Sequence, residues 1–227
     1  MRRYRRMAAV IADERCVVYL NSLDRGNTDF LNEIEKKALA DRVPVIRRQT
    51  QSLLRFLLEM NRPLKILEVG TAIGFSALLM AEYTDAAAHI TTIEKFEKRI
   101  PIARANFEAA GDIGKKIELK CGDAADILKE LADKHENEWD FIFMDAAKAQ
   151  YINFYPYVLR LLKKGGLLMS DNVLQDGDII ESKFAVTRRD RTIHKRMRQY
   201  LEKLSDGEDF VTTILDVGDG IALSVKK

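Results

Sequence analysis

The feature that most constrains this chain is a regular alternation of short apolar runs and amphipathic helical segments that begins near residue 63. Four amphipathic segments separate the first five runs, and two more runs close the chain. Such alternation predicts an α/β protein with a doubly wound, mostly parallel sheet. The predicted strands are Lys65–Val69, His89–Glu94, Lys116–Lys120, Asp140–Asp145, Gly166–Asp171, Phe210–Val217 and Ile221–Val225. The predicted helices between them are Phe75–Tyr83, Lys98–Ala110, Ala124–Asp133 and Tyr151–Leu162.

Both ends of the chain depart from this alternation. Asp190–Leu204 has the pattern of one long helix, and the turn Gly218-Asp219-Gly220 joins the last two strands. A hairpin there would make the last strand of a seven-stranded sheet antiparallel. Residues 1–62 show apolar residues at helical spacing and no strand pattern, which predicts an N-terminal cap of two or three helices. Because no linker or repeat interrupts the chain, we predict one domain over 1–227, with its α/β core at 63–227.

The composition of the chain limits which partners it could bind. The 227 residues carry 37 Lys and Arg against 35 Asp and Glu, a net charge of +2, so any affinity for nucleic acid must come from a local patch. Two cysteines cannot form a disulfide framework, which favours a reduced, cytoplasmic setting. Since no apolar run is long enough to span a bilayer, we expect no membrane partner.

The segment EVGTAIG at 68–74 predicts a ligand-binding turn between the first strand and its helix. Glycine lets the backbone turn sharply and lets a ligand approach the main chain. Glu68 lies inside an apolar strand, where an unpaired carboxylate is costly, so we expect it to meet a polar partner. Glu94 ends the second strand, where an acid can accept both hydroxyls of a ribose. A plain strand–helix turn is the alternative.

The glycine pattern and the charge of this turn together indicate which type of nucleotide it would bind. A dinucleotide fold expects three glycines in the pattern GxGxxG, and this turn has two. A carboxylate at Glu68 would repel a pyrophosphate, whereas it would attract the amino group of S-adenosylmethionine. Asp123, next to Ala124 after the third strand, can accept from an adenine amino group, cap the following helix, or do both.

Acidic residues follow the fourth and fifth predicted strands. Asp145 ends one, and Asp171 with Asn172 ends the other. Adjacent parallel strands end side by side, and two carboxylates that close repel unless a cation separates them. Two carboxylates and an amide oxygen suit Mg²⁺, which keeps water ligands and leaves room for a substrate. The alternative is that each acid caps a helix.

Lys148 follows Asp145 by three residues, so its amine would reach the same pocket. A cation there would stabilise negative charge on a substrate oxygen while Lys148 takes the proton. The oxygen would then attack a sulfonium methyl group in line. A surface lysine at a helix start is the alternative for Lys148.

Together these motifs resemble the cation-dependent O-methyltransferases of the catechol and caffeoyl-CoA type. The resemblance rests on EVGTAIG at 68–74, MDAAK at 144–148 and SDN at 170–172. It implies a Rossmann-like class I methyltransferase fold, a homodimer, Mg²⁺ on Asp145, Asp171 and Asn172, and Lys148 as base. The family pattern has an aromatic residue at the position of Ala147, where it stacks on adenine. The implied contacts of S-adenosylmethionine are Glu68, Gly70, Thr71, Ser76, Glu94, Asp123, Ala124 and Asp145.

Within this family the chain resembles members that methylate 5-hydroxyuridine at the wobble position of bacterial tRNA, giving 5-methoxyuridine. The matching segments are YLNSL at 19–23, VPVI at 43–46, DAAK at 145–148, DNVL at 171–174 and GDGIALSVKK at 218–227. The resemblance therefore implies tRNA as a partner.

A basic segment supports that partner. Residues 183–203 carry eight Lys and Arg against two acids, a net charge of +6. A basic helix face beside the fifth strand could hold phosphates near the site. A solvated helix face is the alternative. The predicted RNA contacts within 188–198 are Arg188, Arg189, Arg191, Lys195, Arg196 and Arg198.

Three rival functions stay open at this point. A small catechol or phenol could be the acceptor, and it would need no basic face. A non-catalytic nucleotide- or RNA-binding domain would leave the acids and Lys148 unexplained. An NAD-dependent oxidoreductase is disfavoured by the glycine pattern and by the absence of a Tyr-x-x-x-Lys motif.

Overall fold

Three helices precede the sheet in the computed structural model, which describes residues 14–174, 179–180, 187 and 190–227. They are α1 (Glu14–Leu23), α2 (Asp29–Ala40) and α3 (Arg48–Asn61). Apolar residues recur along one face of α2 and of α3, and these faces are buried against the helix that follows the first strand. The chain leaves α3 through a left-handed Arg62 and enters the sheet.

The sheet has seven strands in the order β3-β2-β1-β4-β5-β7-β6. This arrangement confirms the predicted α/β class and its antiparallel last strand. The strands are β1 (Lys65–Val69), β2 (His89–Glu94), β3 (Ile117–Cys121), β4 (Trp139–Met144), β5 (Leu162–Ser170), β6 (Phe210–Leu215) and β7 (Ile221–Lys226). The helices are α4 (Phe75–Glu82), α5 (Ile100–Ala109), α6 (Ala124–Lys134), α7 (Tyr151–Leu161) and α8 (Arg191–Ser205).

The strand order creates a switch point at the carboxyl ends of β1 and β4. The chain moves outward from β1 to β2 and β3, then returns to place β4 on the other side of β1. Ligands of open α/β sheets bind in the crevice at such a point. The register pairs Met144 of β4 with Ser170 of β5, so Asp145 and Asp171 follow on neighbouring strands. Strand β7 lies antiparallel between β5 and β6, with Ala222 opposite Ser170.

Two apolar layers cover the sheet. Helices α2 to α5 bury one face, and helices α6 to α8 bury the other. Helix α4 is almost entirely buried because the N-terminal helices cover its outer side. Within the described residues, no helix is both long enough and apolar enough to cross a membrane.

Candidate active site

A cavity of about 680 Å³ opens at the carboxyl edge of the sheet, over the switch point. Its volume is typical of sites for small molecules and cofactors. One side is formed by the glycine turn after β1 and by the ends of β2 and β3; we call it the cofactor half. The other side contains Asp145, Asp171 and Asn172, which we call the acidic edge. The loop 44–47 before α3 closes the cavity over the acidic edge.

The glycine turn needs glycine at both of its ends. Gly70 has φ +107°, and a Cβ there would collide with the carbonyl oxygen of Asp145. Gly74 has φ +87°, and a Cβ there would collide with the ring of Phe107. These glycines let β1 approach β4 and let α4 start close to α5. The turn therefore links the cofactor half directly to the acidic edge.

Glu68 lies beneath the glycine turn and is fully buried. Its carboxylate accepts hydrogen bonds from the hydroxyls of Ser76 and Thr92, and Thr92 is 2.6 Å from the hydroxyl of Thr71. Burial raises the pKa of Glu68 to about 7. Thr71 and Ser76 line the cavity, but Glu68 does not. The structure thus places Glu68 beneath the cavity floor, and its contact with a ligand amino group stays a prediction.

Glu94 is held at the cavity wall by three backbone amides. One oxygen accepts from Ala72 at 2.7 Å, and the other accepts from Lys95 at 3.0 Å and Phe96 at 2.8 Å. The side chain is buried and lines the cavity. A carboxylate has about four acceptor positions and three are used here, so about one remains for a hydroxyl donor of a ligand.

Asp123 caps helix α6. Its carboxylate accepts from the backbone N–H of Ala125 at 2.9 Å and lies 3.3 Å from the amine of Lys95. The hydrogen bond from Ala125 lowers the pKa of Asp123. Both Asp123 and Ala124 line the cavity, so the capping role and a ligand contact are compatible.

The acidic edge continues the hydrogen-bond pattern of the sheet. The N–H of Asp145 donates to Val69 at 3.0 Å, and the N–H of Asp171 donates to Met144 at 3.0 Å. Burial raises the pKa of Asp145 to about 6, against the opposing charge of Lys148. Burial and the charge of Asp145 raise the pKa of Asp171 to about 7. The ionised carboxylates of Asp145 and Asp171 therefore repel each other, and a bound cation would remove this repulsion.

Asp219, which sequence reasoning placed only in a turn, belongs to this site. It lines the cavity, accepts from the side-chain nitrogen of Asn172 at 3.1 Å, and forms an ion pair with Arg47. The hairpin register gives the reason, because Ala222 of β7 lies opposite Ser170 of β5. The preceding turn must then lie beside Asp171. The sequence predicted the hairpin that contains Asp219, but it did not show that β7 lies next to β5.

Tyr151 fixes the spacing of the two strand ends. Its fully buried hydroxyl lies 3.1 Å from the carbonyl oxygens of Met144 and Asp171, to which it can donate, and it accepts from the N–H of Ala146 at 3.3 Å. One hydroxyl thus joins the backbone after β4 to the backbone after β5.

Lys148 begins a short 3₁₀ turn and lines the cavity beside the acidic edge. Helix α8 packs on this turn, and Arg196 of α8 donates to the carbonyl of Ala149 at 3.2 Å. Arg196 is therefore partly buried against the Lys148 turn, and its contact with RNA stays a prediction. The predicted contacts Arg191, Lys195 and Arg198 are exposed on α8. Arg188 and Arg189 lie outside the described residues.

The donor set fits a hard divalent cation that keeps some water. In the described part of the chain, no group of three or more His, Cys, Asp or Glu side chains forms a metal cage. The acidic edge offers two carboxylates and one amide oxygen, because the nitrogen of Asn172 is bound by Asp219. An incomplete oxygen set of this kind suits Mg²⁺, which is commonly held by one or two carboxylates, water and substrate.

The fold and the cavity define a class I methyltransferase architecture, and comparison with known proteins gives the family. The sequence model of the O-methyltransferase family matches residues 22–227, so the chain belongs to that family. It is 32% identical to the catechol O-methyltransferase of Niastella koreensis over 128 residues, which span 56% of this chain and 58% of that protein. It is 31% identical to caffeoyl-CoA O-methyltransferase 5 of Nicotiana tabacum over 173 residues, 75% of this chain and 72% of that protein.

A solved structure shares the whole architecture. The methyltransferase PaMTH1 of Podospora anserina, crystallised with S-adenosylhomocysteine (SAH), superposes with a TM-score of 0.83 at 27% sequence identity. The match covers 95% of each chain. The likeness thus includes the N-terminal helices as well as the sheet.

Proposed function

We propose that this protein is an S-adenosylmethionine- and Mg²⁺-dependent O-methyltransferase. The observation that carries the proposal is that one cavity joins the glycine turn and Glu94 to the acidic edge and Lys148. A plain binding domain would not need a buried and a partly buried carboxylate beside a lysine. The catechol and caffeoyl-CoA O-methyltransferases among its relatives, and the SAH-bound structure, support the same reaction.

The cofactor half would bind and orient S-adenosylmethionine. Glu94, fixed by three amides, would accept a ribose hydroxyl. Asp123 would accept from the adenine amino group while it caps α6. Thr71 and Ser76, both in the lining, would meet the amino-acid end of the cofactor. This orientation would direct the sulfonium methyl toward the acidic edge.

The acidic edge would prepare the acceptor. Asp145, Asp171 and Asn172 would hold the cation, which when bound supplies Lewis-acid stabilisation of negative charge on the acceptor oxygen. Lys148 would take the hydroxyl proton. The acceptor oxygen then forms a bond to the methyl carbon, the carbon–sulfur bond breaks, and its electron pair stays on sulfur. The products are the methyl ether, SAH and a protonated Lys148.

The acceptor we propose is 5-hydroxyuridine at the wobble position of tRNA. Its support is the position of α8: the helix packs on the Lys148 turn and exposes Arg191, Lys195 and Arg198. Phosphates of an RNA bound across this helix would lie near the cavity mouth. A catechol or other small phenol is the second candidate, favoured by the substrates named for the relatives.

We further propose that the protein acts as a homodimer. Helix α1 exposes more than half of the side chains of Val18, Tyr19, Leu20 and Leu23. Contiguous exposed apolar residues of this kind mark interaction surfaces, and a second copy of the chain is the partner that the family likeness implies.

The acceptor can be tested with tRNA that contains 5-hydroxyuridine. Incubation with S-adenosylmethionine and Mg²⁺ should give 5-methoxyuridine, measured by mass spectrometry of the nucleosides. A double variant, Arg191→Ala with Lys195→Ala, should raise KM for tRNA, reduce the salt slope by about 1 per residue, and spare turnover of a small catechol. The matched control is Lys129→Ala with Lys163→Ala, which removes two exposed lysines elsewhere. Equal loss with both acceptors would contradict tRNA binding by α8.

A further inference from the structure

Asp219 stands in a turn that the fold holds firmly against the acidic edge. Gly218 and Gly220 flank it, both with positive φ. The N–H of Leu174 donates to the carbonyl of Asp219 at 3.0 Å, and the N–H of Val173 donates to that of Gly220 at 2.9 Å. Gly220 also packs so closely on Leu174 that a Cβ would collide with its side chain. The turn is thereby tied to the backbone that follows Asn172.

Both carboxylate oxygens of Asp219 are engaged by protein groups. Oδ2 accepts from Nδ2 of Asn172 at 3.1 Å, and Oδ1 forms the ion pair with Arg47. The Asp219 side chain is mostly buried, with 16% of its surface exposed. Arg47 comes from the loop that closes the cavity, so this pair also attaches that loop to the acidic edge.

The hydrogen bond to Asn172 has a chemical consequence. A side-chain amide has a donor end and an acceptor end, and only the acceptor end can bind a cation. The structure places the nitrogen of Asn172 on Asp219, which leaves its Oδ1 for the cation. Without an acceptor for its nitrogen, the amide could rotate and present N–H groups to the cation. Groups that orient a metal ligand in this way commonly contribute 10- to 100-fold in metal affinity.

We propose that Asp219 is a positioning residue that orients the Asn172 amide toward the cation, while Arg47 neutralises the Asp219 charge. This inference rests on the proposed cation site at the acidic edge. It separates the residues at the site by role: Asp145, Asp171 and Asn172 supply oxygen, whereas Asp219 supplies orientation. In this assignment Asp219 acts through Asn172 and does not itself bind the cation.

The test is calorimetry of Mn²⁺ binding to the full chain, without acceptor. Asp219→Ala should weaken Mn²⁺ binding by about 10- to 100-fold and leave the affinity for S-adenosylmethionine unchanged. The matched control is Asp209→Ala at the other end of the same hairpin, where the carboxylate accepts from Tyr155 at 2.7 Å. That variant should bind Mn²⁺ like the wild type. In an Asn172→Ala background, Asp219→Ala should add no further loss.

Two results would overturn the inference: Mn²⁺ affinity unchanged in Asp219→Ala, or a loss that persists in full in the Asn172→Ala background. If the wild type itself binds no Mn²⁺, the proposed function fails instead, so the two failures are distinguishable. Should Asp219→Ala not fold, Asp219→Asn serves as the second variant, because its carbonyl oxygen can still accept from Asn172. An Asp219→Asn protein that binds Mn²⁺ as weakly as Asn172→Ala would also overturn the inference.

Discussion

The two sides of the cavity solve opposite electrostatic problems. In the cofactor half, the acid that lines the cavity wall, Glu94, is held by three backbone amides of the protein itself, whereas Glu68 lies beneath the floor, accepts from two hydroxyls and has its pKa raised by burial to about 7. In the acidic edge, Asp145 and Asp171 lie close together, and burial raises the pKa of both. The first arrangement is complete before a ligand binds. The second becomes favourable only when a positive charge arrives.

This difference indicates that the cofactor half determines cofactor binding, whereas the acidic edge determines the chemical step. Preformed acceptors such as Glu94 bind a ligand without reorganisation, which favours affinity. Carboxylates that need a cation couple the acceptor chemistry to metal occupancy. Changes in the cofactor half should therefore alter cofactor affinity, and changes in the acidic edge should alter catalysis. The four predictions below follow that division from the largest expected effect to the smallest.

Removal of a cation ligand should have the largest effect. In Asp171→Ala, kcat for methyl transfer should fall by about 10⁴-fold, the equivalent of about 5 kcal/mol of lost charge stabilisation. The affinity for S-adenosylmethionine should be unchanged, because Asp171 lies outside the cofactor half. Steady-state kinetics and calorimetry together measure both quantities. A loss of affinity for S-adenosylmethionine as large as the loss of kcat would show that the acidic edge also binds the cofactor.

Removal of the proposed base, Lys148, should have the second largest effect on kcat. Lys148→Met should lower kcat by about 10³-fold, within the range of general-base catalysis, and leave Mn²⁺ and cofactor affinity in place. Lys129→Met, which removes an exposed lysine paired with Asp133, is the control and should keep full activity. A Lys148→Met enzyme with normal kcat would show that another group takes the proton.

A change in the cofactor half should weaken the binding of S-adenosylmethionine and leave kcat unchanged. Glu94→Gln removes a charge that accepts three amide hydrogen bonds, and each ligand bond to a charged acceptor is worth about 1.5–3 kcal/mol. The Kd of S-adenosylmethionine should therefore rise by about 10- to 100-fold, while kcat at saturating cofactor is retained. Calorimetry measures the Kd, and a parallel fall in kcat would contradict the prediction.

The smallest effect is a pH dependence of stability. The pKa of Asp145, Asp171 and Glu68 is raised above its unfolded value near 4, so the folded state binds more protons between about pH 4 and pH 7. Stability without metal should fall as pH rises through that window and level off above it. Thermal melts at pH 5 and pH 7.5 measure this trend.

The same melts sharpen the comparison between the two sides. Mg²⁺ should raise Tm more at pH 7.5 than at pH 5, because it binds ionised carboxylates. Glu68→Gln should reduce the fall of Tm with pH but keep the response to Mg²⁺. A Glu68→Gln protein that no longer responds to Mg²⁺ would place Glu68 in the cation site.

Local sequence signals were sufficient for the elements and for the ends of the strands. The alternating pattern predicted all seven strands, with bounds such as Lys116–Lys120 against the observed Ile117–Cys121. Asp145, Asp171 and Asn172 could be placed together because parallel strands end at one edge. These inferences depend only on periodicity and on neighbouring strands.

Contacts between segments that lie far apart in the chain could not be predicted from local sequence patterns. The insertion of β7 between β5 and β6 brings Asp219 to the acidic edge, and no local pattern encodes that strand order. Whether Glu68 faces a ligand or two hydroxyls depends on how α4 and β2 pack around it. Arg196 shares its helix with exposed arginines, and only the packing of α8 on the Lys148 turn separates it from them.

The central claim is that the acidic edge drives methyl transfer through a divalent cation, separately from cofactor binding. Its most direct test is to measure, with the same protein and chelator, methyl transfer to the acceptor and the Kd of S-adenosylmethionine. Chelator should abolish transfer, added Mg²⁺ should restore it, and the Kd should be the same with and without chelator. Transfer that continues undiminished in chelator would contradict the account.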